Sequence, residues 1–341
     1  AAIVQSITRK LRSDMERLSA IIERFENLSR NYSSDDVVEK FRRTGKENTL
    51  FVFMEGVIER LRQLNHSGTA KNYSAALGSF KRFRNNEDIQ MEAIDHILME
   101  DYQAYLASLG VVPNSISFYM RILRAVYNRA VEQELTIDRN PFRTVFTGVE
   151  KTRKRAISIS DIKRIRDLDL SLKPNLEFAR NLFLFLFLCR GMSFIDAAFL
   201  KKSDIQSGIL TYRRHKTNQV LHIKIIKPIK ELVDRYSSND SPYLLPIITR
   251  PHCDERRQYE TALRRVNKSL KTIAGMVKLP IPLTTYVSRH AWATIAKSKN
   301  IPVNVISDAL GHDSIATTQI YLASIDTSTI DRANELIIKD L

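Results

Sequence analysis

The sequence predicts a mainly α fold in two parts: an all-helical N-terminal domain, then a mixed, mostly helical domain carrying a small antiparallel β-sheet. Three observations carry that expectation. Apolar residues recur at steps of three and four through most of the chain, the signature of amphipathic helices. Two short β-prone runs flank residues 215–219, which predicts one hairpin. Between the two parts, Asn140-Pro141-Phe142 ends a set of helices and residues 148–155 are polar and heavily basic, the composition of a linker.

From the N-terminus, residues 1–31 read as one amphipathic helix with Leu11, Met15, Leu18, Ile21, Ile22, Phe25 and Leu28 on its stripe. With a break at 32–36 and a short helix over 37–41, it makes residues 1–44 a helical extension or linker. Thr49 to Leu64 is helical, with Leu50, Phe53, Met54, Val57, Ile58 and Leu61 on one side. Thr69 is expected to cap a helix over 70–83 that turns Tyr73, Leu77 and Phe80 inward. Helices over 99–109 and 115–132 complete a compact helical domain, 45–147.

After the linker 148–155, a second domain runs over 156–341. Ser160 is expected to cap a helix over 161–167, and 175–188 is apolar on nearly all sides, so it reads as buried. Arg190-Gly191-Met192-Ser193 interrupts it before a short helix over 193–200. Strands over 209–214 and 220–225, then helices over 228–236 and 259–274, follow. The apolar segment Val303 to Leu310 runs into Gly311, a natural helix stop because glycine accepts the left-handed conformation. Asp313 and Ser314 suit the cap of a further helix, which puts Tyr321 about two turns on. Ile330, Ala333, Leu336 and Ile337 mark a C-terminal amphipathic helix.

Of the 341 residues, 53 are Lys or Arg and 38 Asp or Glu, a formal charge of +15 that favours a polyanionic partner such as nucleic acid or an anionic membrane surface. The longest apolar run, 182–189, is far too short to span a bilayer, so no membrane insertion is expected. Cys189 and Cys253 give no disulfide framework and fit a reducing cytoplasm. Cys253 with His252 offers too few ligands for a metal site. Basic and small polar side chains gather at 68–84 and 114–129. Thr69, Lys71, Asn72, Tyr73, Lys81, Asn114, Ser115, Tyr119 and Arg121 there suit contact with a DNA backbone. The same pattern also fits the solvated faces of amphipathic helices. Arg153 and Arg155 in the linker, and Arg213 and Arg214 in the hairpin, extend the basic set.

Four segments carry chemistry-bearing residues: Arg190 to Leu200 after the buried helix, Arg213-Arg214-His215-Lys216-Thr217 in the hairpin, Thr284 to Thr294, and residues 309–321 with His312 and Tyr321. Together they resemble the signature of the tyrosine recombinases, the phage-integrase-like enzymes that cut and rejoin DNA. The resemblance in layout covers about residues 45–341 and implies a core-binding domain, a linker and a catalytic domain. It implies that Arg190 and Arg289 hold the scissile phosphate, that Asp196 braces the site, and that Lys216 is the general acid. His312, after Leu310-Gly311, completes the clamp, and Tyr321 is the nucleophile. The sequence departs from the family at Tyr286, where histidine is common three residues before the second arginine. A phenol donates a hydrogen bond but is a poor base at neutral pH, so the acceptor of the nucleophile's proton stays open.

The residue types suit the implied chemistry. Tyrosine attack on phosphorus gives a covalent 3′-phosphotyrosine and a free 5′-hydroxyl, splitting one difficult exchange into two reversible ones. Arginines offer forked donors to the non-bridging oxygens, where charge accumulates. Lysine suits the acid because arginine does not deprotonate in a protein. The phosphotyrosine conserves bond energy, so no nucleotide cofactor and no metal are expected. The resemblance further implies double-stranded DNA as substrate, a homotetramer on recombining DNA, accessory DNA-bending or excision proteins, a nucleoid-associated location and an origin in a bacterial mobile element. A type IB-like DNA-relaxing enzyme and a catalytically inactive DNA-binding or architectural protein of the same fold are the competing readings.

Overall fold

A computed structural model describes residues 2–27, 32–47, 49–150, 156–236, 241–314 and 318–319. The chain divides into two compact units, Ala1–Thr152 and Arg153–Leu341. Arg153, Arg155, Tyr321 and the expected C-terminal helix lie outside the described residues.

The first unit is helical. Helix α1 (Ala2–Asn27) is followed by α2 (Ser34–Glu47), which starts earlier than the apolar pattern suggests. Its start is set by polar chemistry: the Asp36 carboxylate accepts from the Ser33 amide and hydroxyl, both at 2.8 Å, while the Asp36 amide donates to Ser33 Oγ at 3.3 Å. Next come α3 (Leu50–Gln63), α4 (Ser67–Phe83), α5 (His96–Ser108) and α6 (Pro113–Glu132). Met54, Phe80, Met91, Tyr102, Met120 and Val126 are fully buried at their centre. The buried Tyr102 phenol donates to Ser79 Oγ at 2.8 Å, which satisfies a polar group that would otherwise destabilise the core.

Three further helix starts in this unit differ from the sequence reading. Helix α4 begins at Ser67, so Thr69 lies in its first turn and is not the cap. Helix α5 begins at His96 because Asp95 caps it, accepting from the Leu98 amide at 2.8 Å. Helix α6 begins at Pro113, whose fixed φ and missing N–H suit the first helical position.

The second unit is built round α8 (Pro174–Leu188), which packs against α7 (Ile159–Arg166), α10 (Lys227–Tyr236), α11 (Glu255–Met276) and α12 (Thr285–Ser298). That multiple packing explains its apolar composition: Leu182, Phe183, Phe185 and Leu186 are all buried, each contributing about 2 kcal/mol relative to exposure. The cap of α7 is Ser158 and not Ser160, in a reciprocal capping box with Asp161. A short helix, α9 (Phe194–Ala198), leads to the sheet, β1 (Ile205–Gln206), β2 (Ile209–Arg213) and β3 (Val220–Lys224). It is antiparallel in the order β1-β2-β3, and Arg213 pairs with Val220 at the hairpin end. Two-residue β1 is too short for an alternation pattern and was not expected. Helix α13 (Val303–Leu310) ends the described secondary structure that frames the site, at the residues its apolar pattern marks. Among the described residues no helix is long and apolar enough to cross a membrane.

Candidate active site

The site begins where α8 stops. Arg190 (φ 59°) and Gly191 (φ 70°) both take the left-handed conformation and reverse the chain. A Cβ on Gly191 would sit 2.7 Å from the Arg289 Cα, so glycine is what lets this turn lie directly on α12. Holding an arginine at positive φ costs about 1–2 kcal/mol, which the surrounding packing offsets. Arg190 is half-buried, and among the described residues its guanidinium has no hydrogen-bond or ion-pair partner.

Arg289 is 3% exposed on α12. One terminal nitrogen donates to the Gly191 carbonyl at 2.9 Å and the other to the Leu310 carbonyl at 2.6 Å. It thereby ties the Arg190 turn to the end of α13. A guanidinium presents its N–H donors in a planar fork that matches the oxygens of a phosphate.

At the end of α13, Gly311 (φ 62°, ψ 49°) is the left-handed cap. The next residue, His312, is half-buried, with Nδ1 2.7 Å from the hydroxyl of the fully buried Thr318. Burial, then the charges of Arg289, Arg214 and Lys216, pull the imidazole pKa down to about 4. His312 is therefore neutral at pH 7.

Lys216 is exposed in the turn between β2 and β3. The turn is held from two sides. On one, Asp196 is buried and accepts from the Ser193 hydroxyl at 2.6 Å and the His215 amide at 2.9 Å, with the His215 ring nitrogen at 3.4 Å. Burial pushes the Asp196 carboxyl up, but bonds from His215 and Ser193 and the charge of Arg214 outweigh that and hold it below the ordinary carboxylate range. On the other side, Arg214 Nη1 and the Thr217 hydroxyl, the latter at 3.2 Å, both donate to the Gly311 carbonyl. The Gln219 amide donates to the His312 carbonyl at 3.4 Å and to Asp313 Oδ1 at 3.2 Å.

The structure thus brings Arg190, Asp196, Arg289, Gly311 and His312 into one bonded frame with the Lys216 turn. Tyr286, in the first turn of α12, is 53% exposed and meets the His290 ring edge-on, centroids 4.7 Å apart. Of the two hairpin arginines, Arg213 is exposed and donates to the Asn218 carbonyl at 2.8 Å. Arg214 is 6% exposed and braces the interior. Period-2 alternation carried that signal, since Leu210 and Tyr212 on the same face are buried. Thr217, Gln219, His215 and Thr318 were not singled out by sequence reasoning, because their partners are set by the fold.

In the helical unit, Thr69, Lys71, Asn72 and Arg121 are exposed, while Ser115 and Tyr119 are half-buried. Tyr73 lies under the Arg129 guanidinium at 5.9 Å, and Lys81 is bonded to Glu55 at 2.6 Å. Asn114 is a clip: its amide donates to the Glu150 carbonyl at 3.0 Å and accepts from the Glu150 amide at 2.8 Å.

Residues 49–150 match the phage integrase SAM-like domain, and residues 160–327 match the phage integrase family. With the two-part helical fold and the arginine, lysine and histidine frame, the chain belongs to the tyrosine recombinase, or phage integrase, family. It is similar to the tyrosine recombinase XerA of Pyrococcus furiosus, 27% identical over 244 residues, covering 69% of this chain and 79% of that one. XerC of Syntrophus aciditrophicus is 26% identical over 277 residues, covering 75% and 86%. Among solved structures, the fold matches a lambda integrase dimer bound to a COC′ core site with a TM-score of 0.62 at 17% identity, over 89% of this chain and 85% of that one. It also matches XerH bound to its difH substrate, TM-score 0.53 at 16% identity, over 94% and 95%.

Proposed function

We propose that this chain is a site-specific DNA recombinase that cleaves and rejoins duplex DNA through a 3′-phosphotyrosine on Tyr321. One observation carries the reading: a single buried arginine, Arg289, joins the Arg190 turn to the His312 corner, and the Lys216 hairpin bonds to that same corner. Two arginines, a neutral imidazole and a lysine on one frame form a binding site for a phosphodiester in transition. Arg190 and Arg289 hold the non-bridging oxygens, and removal of either guanidinium costs about 3 kcal/mol, or roughly a hundredfold in rate. His312, held at Nδ1 by Thr318, adds a neutral imidazole to the clamp, and the Tyr286 phenol adds a donor. Lys216 protonates the departing 5′ oxygen. The reverse attack by a 5′-hydroxyl of another duplex completes the exchange.

The charge of +15 supports duplex DNA as the partner. The lambda integrase structures, a dimer on a core site and a tetramer on a Holliday junction, support the same assembly for this chain. The test is adduct trapping. The protein is incubated with nicked random-sequence duplexes, quenched in detergent, and the DNA strands attached to it are sequenced. A covalent adduct at a defined sequence, absent in Tyr321→Phe, is expected; no adduct from wild type sinks the enzymatic reading. Relaxation of a plasmid carrying the trapped site, without exchange between two such sites, would assign the chain to DNA-relaxing enzymes instead.

A further inference from the structure

We propose that Gln219, assisted by Thr217, is a positioning residue for Lys216: its side-chain amide clasps the Gly311–Asp313 corner and fixes the turn from which the proton is delivered. The inference rests on the recombinase reading above.

The β2–β3 ladder ends at the pair Arg213 and Val220. Past it, the turn is closed locally by the Arg214 amide on the Gln219 carbonyl at 2.8 Å and the Asn218 amide on the Arg214 carbonyl at 2.9 Å. Asn218 takes a left-handed φ of 59°, and Lys216 is exposed at the tip. Local closure sets the shape of the turn but not its direction over the site. Direction comes from tertiary bonds, and those of Thr217 and Gln219 all reach the three residues Gly311, His312 and Asp313. These residues are more than ninety positions away in sequence. A lysine on a long flexible stem transfers its proton efficiently only if its root is held, because orientation that is already fixed lowers the entropic part of the barrier.

The bonding also divides the labour within the turn. Arg214 and Asp196 are buried, so their loss damages the fold. Gln219 and Thr217 are half-buried at the rim, where a lost hydrogen bond moves the turn without opening the core. Gly311 leaves room for this contact: a Cβ there would stand 3.2 Å from the Gln219 side-chain oxygen.

In the cleavage step the Tyr321 phenolic oxygen forms the bond to phosphorus and its proton passes to solvent, directly or through a base of the site. The bond from phosphorus to the 5′ oxygen breaks, and that oxygen takes a proton from Lys216 Nζ. A sulfur atom in place of the bridging 5′ oxygen leaves as a thiolate, whose acid titrates near about 8.5, so it needs no proton from lysine. The ratio of single-turnover cleavage rates on the oxygen and sulfur duplexes, built on the trapped sequence, isolates proton delivery.

Lys216→Ala calibrates the assay with a loss of about a hundredfold on oxygen and near wild-type cleavage on sulfur. Gln219→Ala is expected to cleave the oxygen duplex about tenfold more slowly, the effect of losing its two long hydrogen bonds at the rim, and the sulfur duplex within about twofold of wild type. Equal slowing on both duplexes, no slowing on oxygen, or failure of sulfur to restore Lys216→Ala overturns the inference. Should Gln219→Ala not fold, Thr217→Val deletes one hydroxyl and is judged by the same ratio. Wild-type cleavage with an unchanged ratio in these variants overturns this inference and leaves the recombinase reading standing. Absence of any wild-type adduct overturns both.

Discussion

The imidazole of His312 and the hydroxyl of Thr318 are 2.7 Å apart, which binds the histidine to a fully buried residue three positions before Tyr321. That contact fixes the orientation of the ring through its Nδ1. The low pKa of about 4 makes the neutral ring the resting state, held there by burial and by Arg289, Arg214 and Lys216.

A titration follows from that arrangement. In the unfolded chain this histidine titrates at its ordinary value of 6.5, and in the folded protein at about 4. Above 6.5 neither state binds the proton and the histidine's contribution to stability is complete. As pH falls from 6.5 towards 4 the unfolded state protonates first, so stability is lost across that window. The ring is half exposed, so solvent screening reduces the effect to on the order of 1 kcal/mol. Urea unfolding at pH 7.5 and 4.5, compared between wild type and His312→Asn, should show the larger acid-side loss in wild type. NMR of the free protein should find no His312 titration near pH 6.5.

The two glycines at the site predict different penalties. A Cβ at Gly191 would meet the α12 backbone at 2.7 Å, and backbone cannot swing aside. At Gly311 the contacts are side-chain atoms of Leu221, Arg214 and Gln219 at 3.1–3.2 Å, which yield by small rotations. Gly191→Ala should therefore destabilise by about 3 kcal/mol or more and abolish adduct formation. Gly311→Ala should cost about 1–2 kcal/mol and leave a folded, slower protein. Thermal unfolding of the two variants tests the order.

Asp196 is expected to be the most sensitive carboxylate. Asp196→Ala removes the acceptor of the His215 amide and leaves the buried Arg214 without its counter-charge at 4.0 Å, a loss of about 3–5 kcal/mol. Among the described residues the Arg214 Nε has no hydrogen-bond partner, so none of them compensates. Asp196→Asn keeps the shape and one acceptor oxygen and should cost less. Because the folded carboxyl titrates below its ordinary value of 3.8, its stabilisation is present above that pH and is lost as pH falls through the folded value. Acid unfolding of Asp196→Asn should accordingly lack part of the wild-type transition.

What was legible in the sequence was local. The end of α13 at Gly311 follows from an apolar run meeting a residue that accepts φ of 62°. The inward Arg214 was present in the alternation of Leu210 and Tyr212, had it been extended one step. The cap of α7 was also readable, because Ser158 stands three residues before Asp161 while Ser160 has no such partner. Thr69 is not the cap because α4 gains three further residues, 67–69, at a start with no side-chain cap, and propensity alone does not fix such an end. The bonds of Gln219 to His312 and Asp313 were not legible in any form. They join residues more than ninety positions apart, and nothing in the local pattern of either segment encodes them.

DNA binding should be strongly salt-dependent. A chain of charge +15 that neutralises several phosphates releases condensed counterions, so its affinity for duplex DNA should fall by about a thousandfold between roughly 50 and 200 mM salt. Fluorescence anisotropy across that range would reveal it, and a flat response would exclude a backbone clamp.

Tyr286 decides how far the site departs from its relatives in proton handling. Tyr286 is 53% exposed and its ring meets His290 edge-on, so the core does not depend on its hydroxyl. Tyr286→Phe should fold like wild type and lose less than about tenfold in cleavage, the worth of one hydrogen bond to a charged oxygen. Tyr286→His places a group that titrates near neutrality one helical turn from His290, where the two rings compete for the same proton. If the phenol's role is donation to the phosphate, His should restore the Phe loss and add a new ionisation between about pH 6 and 7 to the cleavage profile, absent from both Tyr and Phe proteins. If the phenol instead takes the nucleophile's proton, Tyr286→Phe should lose a hundredfold or more by the usual weight of general-base catalysis, and its profile should lose an alkaline limb that wild type retains. Single-turnover cleavage of the three proteins from pH 5 to 10 separates the two outcomes.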